Sequence, residues 1–242
     1  MDVKIFKQQY EVSLFFVNSQ QNVGLYQLLN ILQDAAFRHA MVTNYQQSPN
    51  VYWVLTRQNL QVKRWPRLGD KIEVETWLST DKRGFLLREY KVYLQGDVVC
   101  SCSTSVAKLD IEAKKILPIS QDDIQRYTTK KQLDFTPKKV HKFTKAQSLK
   151  TFSVRNSDID FNQHVNNTVY AKWILDAVSY DKHFKYNLRS YEVNFIAETH
   201  LEEEIQIQKD PTVCEPNFVY QGVRLSDHKV VFTAEINAIP KM

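Results

Sequence analysis

The residues with the clearest capacity for chemistry lie in one short stretch, DIDFNQHVNNTVYAKW at 158–173. Asp160, Asn162 and His164 alternate along it, and in an extended segment residues two apart face the same side. The imidazole can act as a base, an acid or a donor, the Asn162 amide can donate to a carbonyl oxygen, and Asp160 can fix the imidazole tautomer. Backbone amides at 165–167, where a helix is expected to begin, add donors at a place where an oxyanion could form.

The same residue types also have purely structural uses. Asp and Asn favour turns and helix N-caps because their side chains bond to nearby backbone groups. Asp160, Asn162 and Asn166 can therefore be turn and cap residues with no part in a reaction. From this stretch alone, both interpretations stay open.

A helix and a meander of strands are predicted in the first half of the chain. Apolar residues at helical spacing predict a helix over 22–40. Its apolar stripe consists of Leu25, Leu28, Leu29, Leu32 and Ala36. Segments rich in β-branched and aromatic residues predict strands at 52–65, 70–80, 84–94 and 98–110. Turn signals separate these strands at 68–70, 81–84 and 95–97.

The second half repeats this order, with the polar stretch placed just before its helix. A helix is predicted over 166–179, with its stripe formed by Tyr170, Trp173, Ile174 and Ala177. Strand-like runs follow at 190–198, 202–210, 218–225 and 229–239. ILQDAA in the first helix aligns with WILDAV in the second. We therefore predict an α+β chain with two similar domains, 1–127 and 149–242, joined by a lysine-rich linker at 128–148.

The composition is that of a folded globular chain, since 43% of the 242 residues are hydrophobic and 24% are charged. No run approaches the roughly 20 apolar residues needed to span a bilayer, and the first residues lack the apolar run of a signal peptide. We expect the protein to act in the cytosol, where it is made.

The chain has three cysteines, Cys100, Cys102 and Cys214. Their number and spacing predict half-buried thiols with neither a disulfide framework nor a metal site.

The net charge of +5 raises the question of an acidic partner. Much of the excess lies in the linker and just after it, at Lys130, Lys131, Lys138, Lys139, Lys142, Lys145 and Lys150. Few aromatic residues are interleaved with these lysines, which is typical of a solvated linker and not of a nucleic-acid surface.

NQHVNNTVYAKW at 162–173 closely resembles the N-x-H-V-N-N-x-x-Y-x-x-W motif of plant and bacterial acyl-[acyl carrier protein] thioesterases. The segment at 52–79 resembles the W-V-L-T-R…P…G-D…V-x-T-W block of that family, and the segment at 100–119 resembles the strand that follows it. The resemblance covers nearly the whole chain. It implies two tandem hot-dog domains, each a long helix wrapped by an antiparallel sheet. It also implies the release of free fatty acid in the bacterial cytosol.

The resemblance further implies that Asp160, Asn162 and His164 are catalytic and that a glutamate on a later strand completes the site. In the family this glutamate precedes a cysteine, within Y-R-R-E-C. The corresponding residues here are FIAET, so Glu198 matches the acid and Thr199 replaces the cysteine. Three further glutamates follow closely, so a solvated charge run is the structural alternative for Glu198. With no cysteine to attack the thioester, water is the expected nucleophile.

The expected mechanism has Glu198 orienting and deprotonating the water while His164 shares the proton transfer, and these two roles can be exchanged. Asn162 or the helix-start amides hold the carbonyl oxygen, and Asp160 positions the site. No cofactor and no metal are required. The expected partner is an acyl carrier protein bearing its acyl chain on 4′-phosphopantetheine, with no nucleic acid and no membrane; a homodimer stays open. A basic face around Lys63, Arg64 and Arg67, or the linker lysines, could steer this acidic carrier protein.

The two halves are not expected to share the chemistry. The repeat places Asn22 at the position of His164 and Trp65 near that of Glu198. The first domain should therefore bind the acyl chain and support the fold, while the second catalyses. A hot-dog hydratase, an acyl-CoA thioesterase and a non-catalytic acyl sensor stay as alternatives. Hydrolysis of carrier-linked against CoA-linked substrates separates the enzymes.

Overall fold

The computed structural model describes residues 3–43, 51–81, 85–110, 112–113 and 115–241. Contacts within the chain divide it into two units, Met1–Pro137 and Lys138–Met242. In each unit a helix lies against an antiparallel sheet, which agrees with the predicted α+β class. The domain ends predicted from the sequence stay a prediction.

The first unit contains a long helix and a sheet of antiparallel strands. Its elements are β1 (Ile5–Glu11), α1 (Leu25–Val42), β2 (Val51–Val62), β3 (Lys71–Thr80), β4 (Leu86–Leu94), β5 (Asp97–Asp110), β6 (Lys115–Leu117) and α2 (Gln121–Tyr127). The strand order is β1-β3-β4-β5-β2, and β6 pairs with β5. The four leucines predicted to form the stripe of α1 are all buried, because this face packs on the sheet.

The second unit has the same plan with a shorter helix. Its elements are β7 (Gln147–Ser153), α3 (Val169–Ala177), α4 (Tyr180–Lys185), β8 (Tyr186–Phe195), β9 (Glu204–Lys209), β10 (Asn217–Arg224) and β11 (Val230–Pro240). The strand order is β8-β11-β10-β9-β7.

The second helix was predicted to begin at residue 166, but α3 begins at Val169, so the predicted start is wrong. The Asn166 side chain and carbonyl bind the amides of Thr168 and Val169, which keeps 166–168 in a turn.

All eight strands predicted from the sequence are present. The three-residue β6 was not predicted, nor were the longer strands β1 and β7. Both lie at the edge of their sheet, and their exposed faces carry polar residues. The turn predicted at 95–97 is confirmed: Gln95 and Gly96 have φ of 54° and 89°, which a two-residue type I′ hairpin requires. Most of the turn predicted at 81–84 lies outside the described residues.

The lysine-rich segment is not simply a solvated linker. In the first unit the Lys131 carbonyl accepts from Trp77 Nε1 at 2.8 Å, and the Lys131 ammonium lies 2.6 Å from Glu75 Oε2. In the second unit the Val140 amide donates to Asn194 Oδ1 at 2.7 Å, and the Val140 side chain is buried. The backbone of this segment therefore satisfies polar groups of both sheets, while the other lysines named above are exposed.

The three cysteines are free thiols. Cys100 and Cys102 are fully buried in β5, and Cys214 is exposed, so the prediction of half-buried thiols is wrong for all three. Burial raises the pKa of the Cys100 thiol and makes it a poor nucleophile. Among the described helices, none is both long enough and apolar enough to cross a membrane.

Candidate active site

The polar stretch before α3 folds into a tight turn. Ile159 and Val165 form an antiparallel bridge across it, and the Asp160 amide donates to the His164 carbonyl at 2.9 Å. Gln163 lies in the left-handed region, with φ of 64°. The segment is therefore not extended, and the argument that alternation gives its polar side chains a common face is wrong. In a turn, a spacing of two no longer sets the direction of a side chain.

The Asp160 carboxylate stabilises this turn. Its Oδ1 accepts from the Asn162 amide at 2.8 Å, and Asn162 itself is exposed. Asn166 has a similar function, since its Oδ1 accepts from the amide and the hydroxyl of Thr168 at 3.0 and 2.9 Å. The contacts of Asp160 and Asn166 are therefore those of turn residues, which is the structural alternative given for them above.

His164 and Glu198 are distant in the sequence but adjacent in the structure. His164 Nε2 lies 3.5 Å from Glu198 Oε2, and the two side chains are 36% and 53% exposed. A backbone hydrogen bond sets this approach, since the Val165 amide donates to the Thr199 carbonyl at 2.9 Å. His164 and Glu198 each directly precede a member of that bonded pair. The fold thus brings together the two predicted residues that can transfer a proton.

Glu198 follows an irregularity at the end of β8. The amides of Ile196 and Ala197 both donate to the Val231 carbonyl, at 2.8 and 3.1 Å. Two amides sharing one acceptor interrupt the regular ladder, as in a β-bulge. The chain then leaves the sheet, and Glu198 lies on the exposed side of the turn that follows.

Arg224, at the end of β10, holds the backbone of this turn. Its Nη1 donates to the Glu198 carbonyl at 3.3 Å and to Glu203 Oε1 at 2.8 Å. Its Nε and Nη2 pair with the Asp227 carboxylate at 3.0 and 3.1 Å, which raises the pKa of Arg224 and keeps it charged. Arg224 was not predicted as a site residue, since an arginine at the end of an apolar run has no distinctive pattern.

A second histidine borders the pair. The exposed His200 ring has its centroid 4.8 Å from that of His164, with 70° between the ring planes. One ligand atom each of His164, Glu198 and His200 lie within 4.8 Å of one another. His200 was not predicted as a site residue, because a lone histidine outside the matched motif carries no local signal.

The three backbone amides predicted as oxyanion donors, at 165–167, differ in whether they are already hydrogen-bonded. The Val165 amide is bonded to Thr199, and the Asn166 amide donates to the Asp158 carbonyl at 2.9 Å. Within the described parts of the chain, the Asn167 amide has no acceptor. Of the three predicted donors, Asn167 is therefore the one available to a ligand oxygen.

Two family models match the chain over most of its length. The model of the acyl-ACP thioesterase N-terminal domain matches residues 3–127, and the model of the acyl-ACP thioesterase C-terminal domain matches residues 141–237.

The chain belongs to the acyl-ACP thioesterase family.

Plant proteins of this family are among its curated relatives. The chloroplastic dodecanoyl-[acyl-carrier-protein] hydrolase of Cinnamomum camphora is 23% identical over 225 residues, which cover 84% of this chain and 58% of that protein. The chloroplastic oleoyl-acyl carrier protein thioesterase of Coriandrum sativum is 20% identical over 252 residues, covering 94% of this chain and 68% of the relative. The chain thus spans only 58% of the length of the Cinnamomum protein.

Solved structures of acyl-ACP thioesterases share the fold. An acyl-ACP thioesterase from Bacteroides thetaiotaomicron superposes with a TM-score of 0.88 at 24% identity, covering 98% of both chains. The 12:0-ACP thioesterase from Umbellularia californica gives a TM-score of 0.87 at 18% identity, again over 98% of each chain. The hot-dog architecture implied by the resemblance is confirmed, although the helix of the second unit is short.

In this member of the acyl-ACP thioesterase family, Thr199 takes the place of the expected cysteine and faces inward. Thr199 is fully buried, and its Oγ1 accepts from the Tyr170 hydroxyl at 3.1 Å. Burial raises the pKa of Tyr170 to about 12, so the phenol keeps its proton. Thr199 therefore ties the segment after Glu198 to α3, while Glu198 faces the opposite, exposed side.

The first unit of this acyl-ACP thioesterase family member contains the same turn. Val17 and Val23 form the bridge across it, and the Val23 amide donates to the Pro66 carbonyl at 2.8 Å. Asn22 directly precedes this valine, and Trp65 directly precedes this proline. The predicted equivalences are confirmed, since these are the positions that His164 and Glu198 hold in the second unit. An amide and an indole cannot exchange protons as an imidazole and a carboxylate can.

Proposed function

We propose that this protein hydrolyses the thioester of fatty acyl-[acyl carrier protein], releasing free fatty acid and holo carrier protein and so terminating fatty acid synthesis. The observation that carries the proposal is the His164–Glu198 pair. His164 lies inside the motif of a family whose curated members are acyl-ACP hydrolases, Glu198 lies in a separate segment, and the equivalent turn of the first unit lacks the pair. We further propose a cytosolic enzyme, with the oligomeric state left open.

Water is the proposed nucleophile. Glu198 Oε2 and His164 Nε2 border the same exposed space, where a bound water can reach both. Glu198 orients this water and accepts its proton, and His164 passes a proton to the thiolate that leaves. The separation of 3.5 Å is long for a hydrogen bond. Such contacts commonly shorten when a substrate excludes bulk water from the site.

The oxyanion of the tetrahedral intermediate needs donors that point at it before the reaction begins. The Asn167 amide fits this function because it is unpaired within the described residues and lies at the start of α3. The exposed Asn162 side chain is a second donor, as the family resemblance implies. These two donors are proposed to hold the oxyanion while the acid–base pair activates the water.

Asp160 is proposed as a positioning residue, and the first unit offers a comparison. Asn18 Oδ1 accepts from the Gln20 amide at 2.9 Å, the same contact that Asp160 makes to the Asn162 amide. An amide oxygen therefore supports this turn as well as a carboxylate does. The charge of Asp160 is not required for its contact within the turn.

Asp160→Asn is expected to keep kcat within about tenfold, because the turn and hence the His164 backbone are preserved. Asp160→Ala should lower the free energy of unfolding by about 1 kcal/mol through loss of the turn hydrogen bond. Denaturant unfolding and steady-state kinetics on both variants provide the measurements. A loss above about a hundredfold in a stable Asp160→Asn protein would instead show that the carboxylate acts on the imidazole.

The acidic carrier protein is the proposed partner, and the exposed linker lysines are proposed to steer it. Changing Lys138, Lys139 and Lys142 together to Glu should raise KM for acyl carrier protein at low salt and leave kcat nearly unchanged.

The matched control for this charge reversal changes three exposed lysines elsewhere to Glu, at Lys71, Lys115 and Lys229, which gives the same change in net charge. Equal effects on KM from both triple variants would show that only net charge matters. An unchanged KM in the linker variant at low salt would mean that these lysines are ordinary solvated residues.

The proposed function is tested by an assay of purified protein on acyl carrier proteins loaded with chains of different length. Release of free fatty acid and holo carrier protein is expected, with kcat/KM well above that for the same acyl groups on CoA. Preference for CoA would favour the acyl-CoA thioesterase alternative. Hydration of an enoyl substrate without thioester cleavage would favour the hydratase.

A further inference from the structure

We propose that His164, Glu198 and His200 form a binding site for a divalent transition metal, Zn²⁺ above all, and that the bound ion reversibly inhibits the enzyme. Two imidazoles and one carboxylate form a ligand set that zinc takes in proteins, with a fourth position left for water. The cluster unites residues from two segments, the turn before α3 and the turn after β8.

The distances within the cluster suit a small metal ion. Zinc bonds of about 2.0–2.1 Å at a tetrahedral angle place two ligand atoms about 3.4 Å apart. His164 Nε2 and Glu198 Oε2 are 3.5 Å apart, so this pair already has the required separation. The ligand atoms of all three residues are within 4.8 Å of one another, so His200 needs to approach by no more than about 1.4 Å. Its exposed ring can make this movement by rotating about its own side-chain torsions.

The ligand types favour zinc over magnesium, and the cation Arg224 beside the cluster is neutralised by Glu203 and Asp227. Glu202 and Glu204 are exposed close to the cluster in the sequence, whereas Glu203 is paired with Arg224. Imidazole suits Zn²⁺, Ni²⁺ and Cu²⁺, whereas Mg²⁺ requires oxygen ligands in octahedral geometry. We therefore expect Zn²⁺, Ni²⁺ and Cu²⁺ to bind and Mg²⁺ to have no measurable effect.

A bound metal ion is expected to inhibit the enzyme because it would occupy lone pairs that hydrolysis needs. A bound ion takes the Nε2 lone pair of His164 and an oxygen of Glu198, the groups proposed to move protons during hydrolysis. This part of the inference rests on the proposed function, whereas the binding itself does not. His200 is the useful probe, since it belongs to the cluster and has no assigned part in hydrolysis.

Binding is measured on the full chain, first treated with a chelator and then titrated with Zn²⁺ by calorimetry and with Co²⁺ by absorption spectroscopy. We expect one ion per chain and a cobalt spectrum of low coordination number. His200→Ala should weaken binding by at least about tenfold, because losing even an outer partner of a metal ligand costs on the order of 10–100-fold. His228→Asn, which alters another exposed histidine, should bind as the unchanged protein does.

Activity is then measured with the same proteins. Zn²⁺ should abolish hydrolysis by the unchanged protein and by His228→Asn, and a chelator should restore it. His200→Ala should keep its basal kcat and resist Zn²⁺ concentrations that inhibit the others. Equal metal binding by His200→Ala would overturn the site. Activation by Zn²⁺ after chelation would overturn the inhibitory role. If the metal-free protein hydrolyses no thioester, the proposed function fails, while the calorimetry still decides the site.

Discussion

Glu198→Gln is expected to lower kcat by on the order of 10²–10⁴ while the protein stays folded. Glutamine keeps the shape of the side chain and one oxygen acceptor, but it cannot take a proton from water. Because Glu198 is half exposed and lies outside the packed core, the substitution should leave the free energy of unfolding nearly unchanged. KM for the carrier protein should change little.

The measurement is single-turnover hydrolysis of acyl carrier protein, accompanied by thermal unfolding. Glu202→Gln is the matched control, since it makes the same change at an exposed glutamate in the neighbouring turn. Trp65→Phe, at the equivalent position of the first unit, should alter stability or chain-length preference and spare the chemical step. A folded Glu198→Gln protein with near-normal kcat would remove Glu198 from the mechanism and leave His164 as the base.

His164→Ala is expected to cause a comparable loss of kcat, and the double variant with Glu198→Gln should lose far less than the product of the single losses. The two side chains are 3.5 Å apart and are proposed to act on the same proton transfer. Once one member is absent, the other has little left to contribute, so their effects are not additive.

A double-mutant cycle measures this coupling from kcat of the four proteins under one set of conditions. Asn22→Ala serves as the control, since Asn22 occupies the equivalent place in the turn of the first unit. It should spare kcat and add independently to Glu198→Gln. Losses that multiply for His164 and Glu198 would show two separate functions and contradict a shared proton transfer.

Much of the fold could be predicted from local pattern. The leucine stripe of α1 and the eight strands with apolar faces could be predicted because each of these elements buries side chains at a regular spacing. The edge strands β1 and β7 were missed because an edge strand buries less and carries more polar residues. The three-residue β6 was missed because it is too short to show a periodic pattern. The start of α3 was placed too early because competition from the Asn166 side chain depends on geometry, not on composition.

The sequence by itself determined the family and named the residues that can carry charge or donate hydrogen bonds, through the NQHVNN stretch and the FIAET segment. It could not determine which of them meet. The pairing of Glu198 with His164 depends on one backbone bond, from Val165 to Thr199, between segments distant in the chain. Bonds of this kind form only when helix and sheet pack together, so no local pattern encodes them.

The same packing decided the roles of the neighbouring residues. It buried Thr199 against Tyr170, directed Asp160 into a turn and brought His200 beside His164. Each outcome depends on the direction in which a side chain leaves a turn. A residue's type and its spacing specify what it can do, but in an irregular segment its direction is set by long-range backbone contacts. Only the tertiary structure therefore separated the pair proposed to react from the residues that hold it in place.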